Sequence, residues 1–120
     1  MTKAAALNKF FNTFGMTAYP SSAVPEDVIF PYLTYELATG DIYSGDISIV
    51  VNLWFHTQSE KIPNDKVEQI AKAIGIGGAT VPYDEGAIWI KKGSPFSQSL
   101  NDENNNTVKR RLINLTLEYL

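Results

Sequence analysis

The residues from Ile47 to Thr57 constrain the fold most strongly, because apolar and mixed side chains alternate there without a break. Successive side chains of a β-strand point to opposite faces, so this period predicts a strand with one buried face and one partly wet face. The positions predicted to be buried are the odd ones: Ile47, Ile49, Val51, Leu53 and Phe55. The chain therefore needs a sheet with other elements packed on one side of it.

Two segments have the helical spacing that can cover such a sheet. Apolar residues recur at i, i+3, i+4 and i+7 in each of them, which places four side chains on one helical face. These residues are Leu7, Phe10, Phe11 and Phe14 in the first segment and Val67, Ile70, Ala71 and Ile74 in the second. We expect Thr2 to cap the first helix and Gly15 to end it, and we expect the second helix to run from Lys61 to Ile74.

Three further strands are predicted at Tyr32 to Ala38, Ala87 to Lys91 and Thr107 to Tyr119. The resulting fold class is α+β, with a mainly antiparallel four-stranded sheet and two helices in the order α-β-β-α-β-β. The length of 120 residues is that of a single domain.

Two segments between these elements read as irregular structure. Residues 16–31 contain Pro20, Pro25 and Pro31, which predict an extended connection. Residues 93–106, GSPFSQSLNDENNN, are polar and rich in turn-forming residues, so we expect a long flexible loop there.

Composition argues against several classes of function. With 10 basic and 13 acidic side chains, the net charge of −3 lacks the excess of cations that gripping nucleic acid requires. The apolar stretches are far shorter than the roughly 20 residues that span a membrane. The absence of cysteine removes disulfides and thiolate chemistry.

The sequence offers little catalytic chemistry. His56 is the one histidine, no metal-ligand spacing is apparent, and the glycines from Gly75 to Gly78 follow a helix instead of opening one. We therefore expect no enzymatic activity, no metal and no cofactor.

The predicted sheet face opposite the helices is unusual. If the odd residues of the long strand point to the helices, Val50 and Trp54 point away from them, and the same logic sends Trp89 to that face. Outward aromatic side chains suggest an association surface, since Trp is enriched at the centres of interfaces. Alternatively, residues 16–31 fold over this face and cover it.

The succession FPYLTYEL, GDISIVVNLWF, KVEQIAKAI, SPFSQ and VKRRLINLTLEYL resembles the tail terminator, or tail completion, proteins of long-tailed bacteriophages and prophages. The resemblance lies in the order of elements over nearly the whole chain. It implies a structural protein of the virion that forms a hexameric ring, terminates the tail tube and joins it to the head connector. The partners implied are other copies of the chain, the tail tube protein and the head-tail connector protein, assembled in the cytoplasm of the bacterial host.

A ring needs contacts between unlike patches of neighbouring subunits. We expect one patch to contain Val50, Trp54 and Trp89. A second contact would pair Arg110 and Arg111 with Asp102 and Glu103 of a neighbour, although these charges could equally pair within one subunit or lie solvated. The predicted loop would dock on the tube or connector through six of its residues: Ser94, Pro95, Phe96, Gln98, Asn104 and Asn105.

Two other functions fit the same pattern. One is another neck component, such as a head-completion protein. The other is a small ligand-binding or regulatory domain that acts alone, with residues 16–31 as a lid over both tryptophans.

Overall fold

The computed structural model describes the backbone of residues 1–102 and 105–120 and the side chains of residues 1–100 and 107–120. The helices are α1 (Lys3–Phe11) and α2 (Lys61–Ile74), and a 3₁₀ turn (Asn12–Phe14) follows α1. The strands are β1 (Thr17–Pro20), β2 (Tyr32–Tyr35), β3 (Asp46–His56), β4 (Ala79–Tyr83), β5 (Gly86–Asp102) and β6 (Asn105–Tyr119).

The described strands form one mixed sheet in the order β1-β2-β3-β6-β5-β4, curved into a half-barrel. β1 and β2 are parallel, and the other neighbours are antiparallel. The prediction of a four-stranded antiparallel sheet is therefore wrong. The two missed strands, β1 and β4, are short and contain Pro20 and Pro82, and proline is tolerated at the edge of a sheet because one side of an edge strand needs no hydrogen-bonded partner.

Both helices lie where the spacing of apolar residues predicted them. The Thr2 hydroxyl accepts a hydrogen bond from the Ala5 backbone N–H at 3.1 Å, which caps α1. Gly15 has a φ of 78°, a left-handed conformation that glycine adopts without steric cost, and it ends the first helical segment. The second helix has the predicted bounds.

The core lies between the helices and one face of the sheet, which we call the inner face. Ile49, Val51, Leu53 and Phe55 of β3 are buried there, while Ile47 is half-buried and packs against the same cluster. The helices contribute apolar side chains to the core, among them Leu7, Phe11, Ile70 and Ile74. The alternation along β3 therefore assigns its faces as predicted.

The loop predicted over residues 93–106 is corrected by the structure, because its described residues belong to β5 and β6. A bulge between Lys92 and Ser97 shifts the register, and pairing then resumes with Ser97 opposite Ile113. Gly93 lies so close to Asn114 that an added Cβ would come within 2.8 Å of that side chain. The segment resembles a loop in sequence because it is polar and because the bulge changes which residues face inward.

Candidate functional site

The two tryptophans lie on the face of the sheet opposite the helices, which we call the outer face. Trp54 of β3 pairs in register with Arg110 of β6, and Trp89 of β5 pairs with Glu118. Directly paired residues of antiparallel strands project to the same side, and Arg110 and Glu118 are both at outward positions of β6. Val50, opposite Asn114, lies on this face as well. All three predicted outward residues are therefore on the outer face, and each is half-buried.

Aromatic side chains gather around Trp54 at one corner of the outer face. The Tyr32 ring stacks on Trp54 with ring centroids 6.0 Å apart and an interplanar angle of 12°. Phe30 meets Tyr32 edge-on at 5.2 Å and lies 5.6 Å from the His56 ring, while Tyr19 meets Tyr32 at 6.3 Å. We call Phe30, Tyr32, Trp54 and Arg110 the aromatic corner.

The polar groups of the aromatic corner hold its rings in place. The Trp54 indole Nε1–H donates to the Thr34 hydroxyl at 3.1 Å, and the Arg110 guanidinium lies 5.3 Å from the centroid of the Trp54 ring. A cation over an indole face is attracted by the negative potential of the ring. Burial raises the pKa of Tyr32 above its ordinary value. The corner is thus a preorganised surface that carries an aromatic stack under a cation.

Trp89 lies at the other end of the outer face, about 26 Å from the corner at the usual rise per residue along β6. Its Nε1–H donates to the Gly77 carbonyl at 2.7 Å, and Lys91 Nζ lies 4.5 Å from its ring centroid. A Cβ on Gly78 would meet Trp89 Nε1 at 2.5 Å, so the turn after α2 fits closely against the ring. The structure therefore separates the two tryptophans and packs Trp89 against its own chain.

Residues 16–31 add a strand to the edge of the sheet and do not form a layer over its outer face. Thr17–Pro20 forms β1 at the sheet edge, and residues 21–27 are exposed. In the second half of this segment, Phe30 is the one residue with a described ring contact at the aromatic corner. A lid over both tryptophans is not what this segment forms, because the two rings lie at opposite ends of the face.

The basic run at the start of β6 is divided between the two faces. Lys109 and Arg111 are 8% and 2% exposed and lie on the inner face, whereas Arg110 lies on the outer face. Arg111 donates from Nη2 to Glu60 Oε2 at 2.6 Å and from Nε and Nη2 to Asn64 Oδ1 at 3.3 and 3.1 Å. Lys109 Nζ lies 3.4 Å from Glu60 Oε1. Arg111 is therefore paired within its own chain, which is one of the arrangements that the sequence left open, although its partner is Glu60 and not Asp102 or Glu103.

Glu60 responds to these two cations. The hydrogen bond from Arg111 is the largest effect on the Glu60 carboxyl and lowers its pKa, while desolvation, the second largest, opposes it. The charge of Arg111 and the hydrogen bond and charge of Lys109 add to the lowering, so the pKa stays below its ordinary value. The acidic partners predicted from the sequence were Asp102 and Glu103. Glu103 and the side chain of Asp102 lie outside the described residues.

Of the residues predicted to dock on the tube or connector, those that the structure describes belong to β5 and β6. Ser94, Pro95 and Gln98 are exposed, and Phe96 is half-buried with Lys92 Nζ 5.7 Å from its ring centroid. Asn114 Nδ2 donates to the Pro95 carbonyl at 2.9 Å, which fastens the bulge to β6. Asn104 and the side chain of Asn105 lie outside the described residues.

Asn52 is a residue of this face that the sequence did not single out. It lies on the outer face between Thr34 of β2 and Leu112 of β6. Its Oδ1 is buried and has no hydrogen-bond partner in the part of the chain that the structure describes. Most buried polar atoms are hydrogen-bonded, so this acceptor beside Trp54 is an exception. An amide between the apolar residues Val51 and Leu53 was the only available signal.

The described side chains do not bring three acidic or histidine groups together in a way that could hold a metal ion. Within the same residues, neither helix is both long and apolar enough to cross a bilayer. No protein-family model matches the chain, and no curated protein is significantly similar to it.

Proposed function

We propose that this chain is a non-enzymatic structural subunit that assembles with copies of itself through the aromatic corner of its outer face. The observation that carries the proposal is the stack of Tyr32 and Trp54 under Arg110 on a sheet face that neither helix covers. Trp, Tyr and Arg are the residues most enriched among those that dominate binding energy in interfaces.

The rigidity of the aromatic corner favours a role in binding a partner. Its rings are fixed by contacts with each other and with Thr34, so little side-chain entropy is lost when a partner binds.

The resemblance to tail terminator proteins is the basis for proposing where this assembly acts. On this proposal the copies form a ring at the junction of tail and head in a phage virion, with the tail tube protein and the head-tail connector protein as partners. The net charge of −3 per subunit favours a ring through which DNA passes without being held, because a negative ring repels phosphates. A head-completion protein would share the ring and differ in its partners.

The test compares two tryptophan variants by light scattering over a wide range of protein concentration. We expect wild type to reach the mass of a closed ring as concentration rises. Trp54→Ala should raise the concentration needed for assembly by about tenfold or more, the usual effect of truncating a central interface residue. Trp89→Ala is the matched control, and it should lower the melting temperature while leaving assembly unchanged, because its ring packs on its own chain.

Equal effects of the two substitutions on assembly would contradict the role of the aromatic corner. A wild-type monomer at every concentration, also in the presence of purified tail tubes, would contradict self-assembly altogether. Incubation with isolated tubes and with isolated connectors then separates a tail terminator, which binds tube ends, from a head-completion protein, which binds connectors alone.

A further inference from the structure

An exposed turn presents two apolar side chains that the fold does not use. Ile42 and Tyr43 are 67% and 93% exposed at the tip of the turn from Asp41 to Ser44, between β2 and β3. Isolated exposed apolar residues are ordinary, but two adjacent ones at a turn tip form a protruding apolar surface.

The conformation of this turn is fixed by hydrogen bonds. The Ser44 N–H donates to the Asp41 carbonyl at 3.0 Å, and the Tyr43 N–H donates to Asp41 Oδ1 at 2.9 Å. The Ser44 hydroxyl accepts a bond from the Asp41 N–H at 3.0 Å, and Gly45 follows with a φ of 68°. The turn therefore holds Ile42 and Tyr43 out into solvent in one defined shape, with the Asp41 carboxylate beside them.

A cleft of matching character lies between α1 and β4. It has a volume of about 400 Å³, and its walls are Ala6, Phe10, Thr13, Val81, Pro82 and Tyr83. Lys9 and Asp84 also line it and are exposed, so we describe them as its rim, and Asp84 is paired with the amino group of Met1. We call this cleft the α1/β4 groove. It is mainly apolar, and its rim offers the Lys9 ammonium to an anionic partner.

We propose that the turn of one copy inserts Ile42 and Tyr43 into the α1/β4 groove of the next copy. The apolar side chains match the apolar walls, and the Asp41 carboxylate would approach Lys9 at the rim. The turn is preformed, so inserting it costs less conformational entropy than ordering a flexible segment. This inference rests on the self-assembly proposed above and adds a second contact between neighbours.

The contact joins two different patches of the chain, so it is head-to-tail. Such contacts generate a closed ring when the rotation between copies fits, and they leave one unused turn and one unused groove on every open assembly. Both apolar side chains of the turn are exposed, so they do not occupy the groove of their own chain.

Two complementary variants test this arrangement. Ile42→Ser with Tyr43→Ser removes the apolar tip but keeps Asp41 and the hydrogen bonds of the turn. Thr13→Glu places a charge in the groove at an exposed position and repels Asp41. Ile76→Ser is the control, because Ile76 is fully exposed in a different turn. Circular dichroism and thermal unfolding establish that each variant is folded.

We expect each variant alone to need at least about tenfold more protein to assemble than wild type, while the control assembles normally. An equimolar mixture of the two should form a dimer of one copy of each. The intact turn of the groove variant can then fill the intact groove of the turn variant, and no further copy can be added through this contact. The mixture is therefore measured at a concentration where neither variant assembles alone.

Three outcomes would overturn the proposal. If wild type and both variants assemble alike, the turn and groove are not a contact, whereas self-assembly through the aromatic corner stands. If both variants lose assembly but their mixture gives no dimer, the losses have another cause and the head-to-tail contact is wrong. If wild type itself never assembles, this inference and the proposed function fail together.

Discussion

The two faces of β3 differ sharply although they alternate residue by residue. On the inner face Val51 and Leu53 are buried under the helices, at 2% and 0% exposure. On the outer face Asn52 and Trp54 are half-buried and have no helix above them. The inner residues complete their contacts when the chain folds. The outer face keeps an aromatic stack that neither helix covers, and this is the surface proposed for association.

Arg110 and Arg111 show the same division between adjacent residues. Arg111 points inward and is held by a carboxylate and an amide oxygen, as a buried charge must be. Arg110 is at an outward position, and its guanidinium lies over the Trp54 ring. A variant of Arg111 therefore tests the stability of the fold, and a variant of Arg110 tests the proposed association.

The largest loss of stability is expected for substitutions on the inner face of β3. Leu53→Ala should lower the free energy of unfolding by about 2–5 kcal/mol, because a fully buried leucine leaves a cavity. Val50→Ala on the outer face is the matched control and should cost less than about 1 kcal/mol, since the half-buried side chain leaves no enclosed space. Urea unfolding of both variants measures the difference, and equal losses would contradict the assignment of the faces.

An intermediate effect concerns the charges on the inner face and depends on pH. The pKa of Glu60 is lower in the folded protein than its ordinary value of 4.5. Its ion pairs therefore stabilise the fold fully at pH values above 4.5, and this stabilisation is lost as the pH falls through the pKa of the folded state. Glu60→Gln should therefore lower the melting temperature near pH 7 and make less difference as the solution becomes more acidic.

Thermal unfolding from pH 7 to pH 3 measures this dependence. Glu68→Gln, at an exposed position of α2, serves as the control. If the gap between wild type and Glu60→Gln stays constant over the whole range, the carboxylate does not stabilise the buried arginine.

The smallest effect is expected at Asn52. Replacing an unpaired buried acceptor by an apolar side chain removes a desolvation penalty, so Asn52→Leu should raise the free energy of unfolding of the monomer by about 1 kcal/mol. Asn114→Leu on the same face should lower it, because Asn114 loses its hydrogen bond to Pro95. Urea unfolding measures both changes, and a lower stability of Asn52→Leu than of wild type would contradict the penalty assigned to the buried acceptor.

The elements that were predicted well are those whose signal is local. Helical spacing is enough to place both helices, and the alternation along β3 is enough to place Trp54 on the outer face. The alternation of β6 carries a comparable signal for its basic residues. Ile113 points inward, so Arg111 and Lys109, two and four residues before it, point inward too.

The features that were missed depend on distant partners. β1 is a strand because β2 lies beside it, and nothing within its four residues, TAYP, indicates a parallel neighbour. The bulge at residues 93–96 moves the inward positions of β5 from even to odd numbers, so one period cannot be followed through the segment. The α1/β4 groove is formed by elements far apart in the sequence and has no motif of its own.

The pairing of β3 with β6 also determines when the aromatic corner forms during folding. Residues 46–56 lie against residues 108–118, while β5 and β6 are neighbours in sequence and can pair as a hairpin. Non-local pairing is slow because a long loop must close first, so we expect folding in milliseconds to seconds instead of microseconds. Trp54 and Arg110 belong to the two strands that meet across this separation. The aromatic corner is therefore absent from a partly synthesised or partly folded chain, and on the proposed function only molecules that have finished folding would bind a neighbour through it.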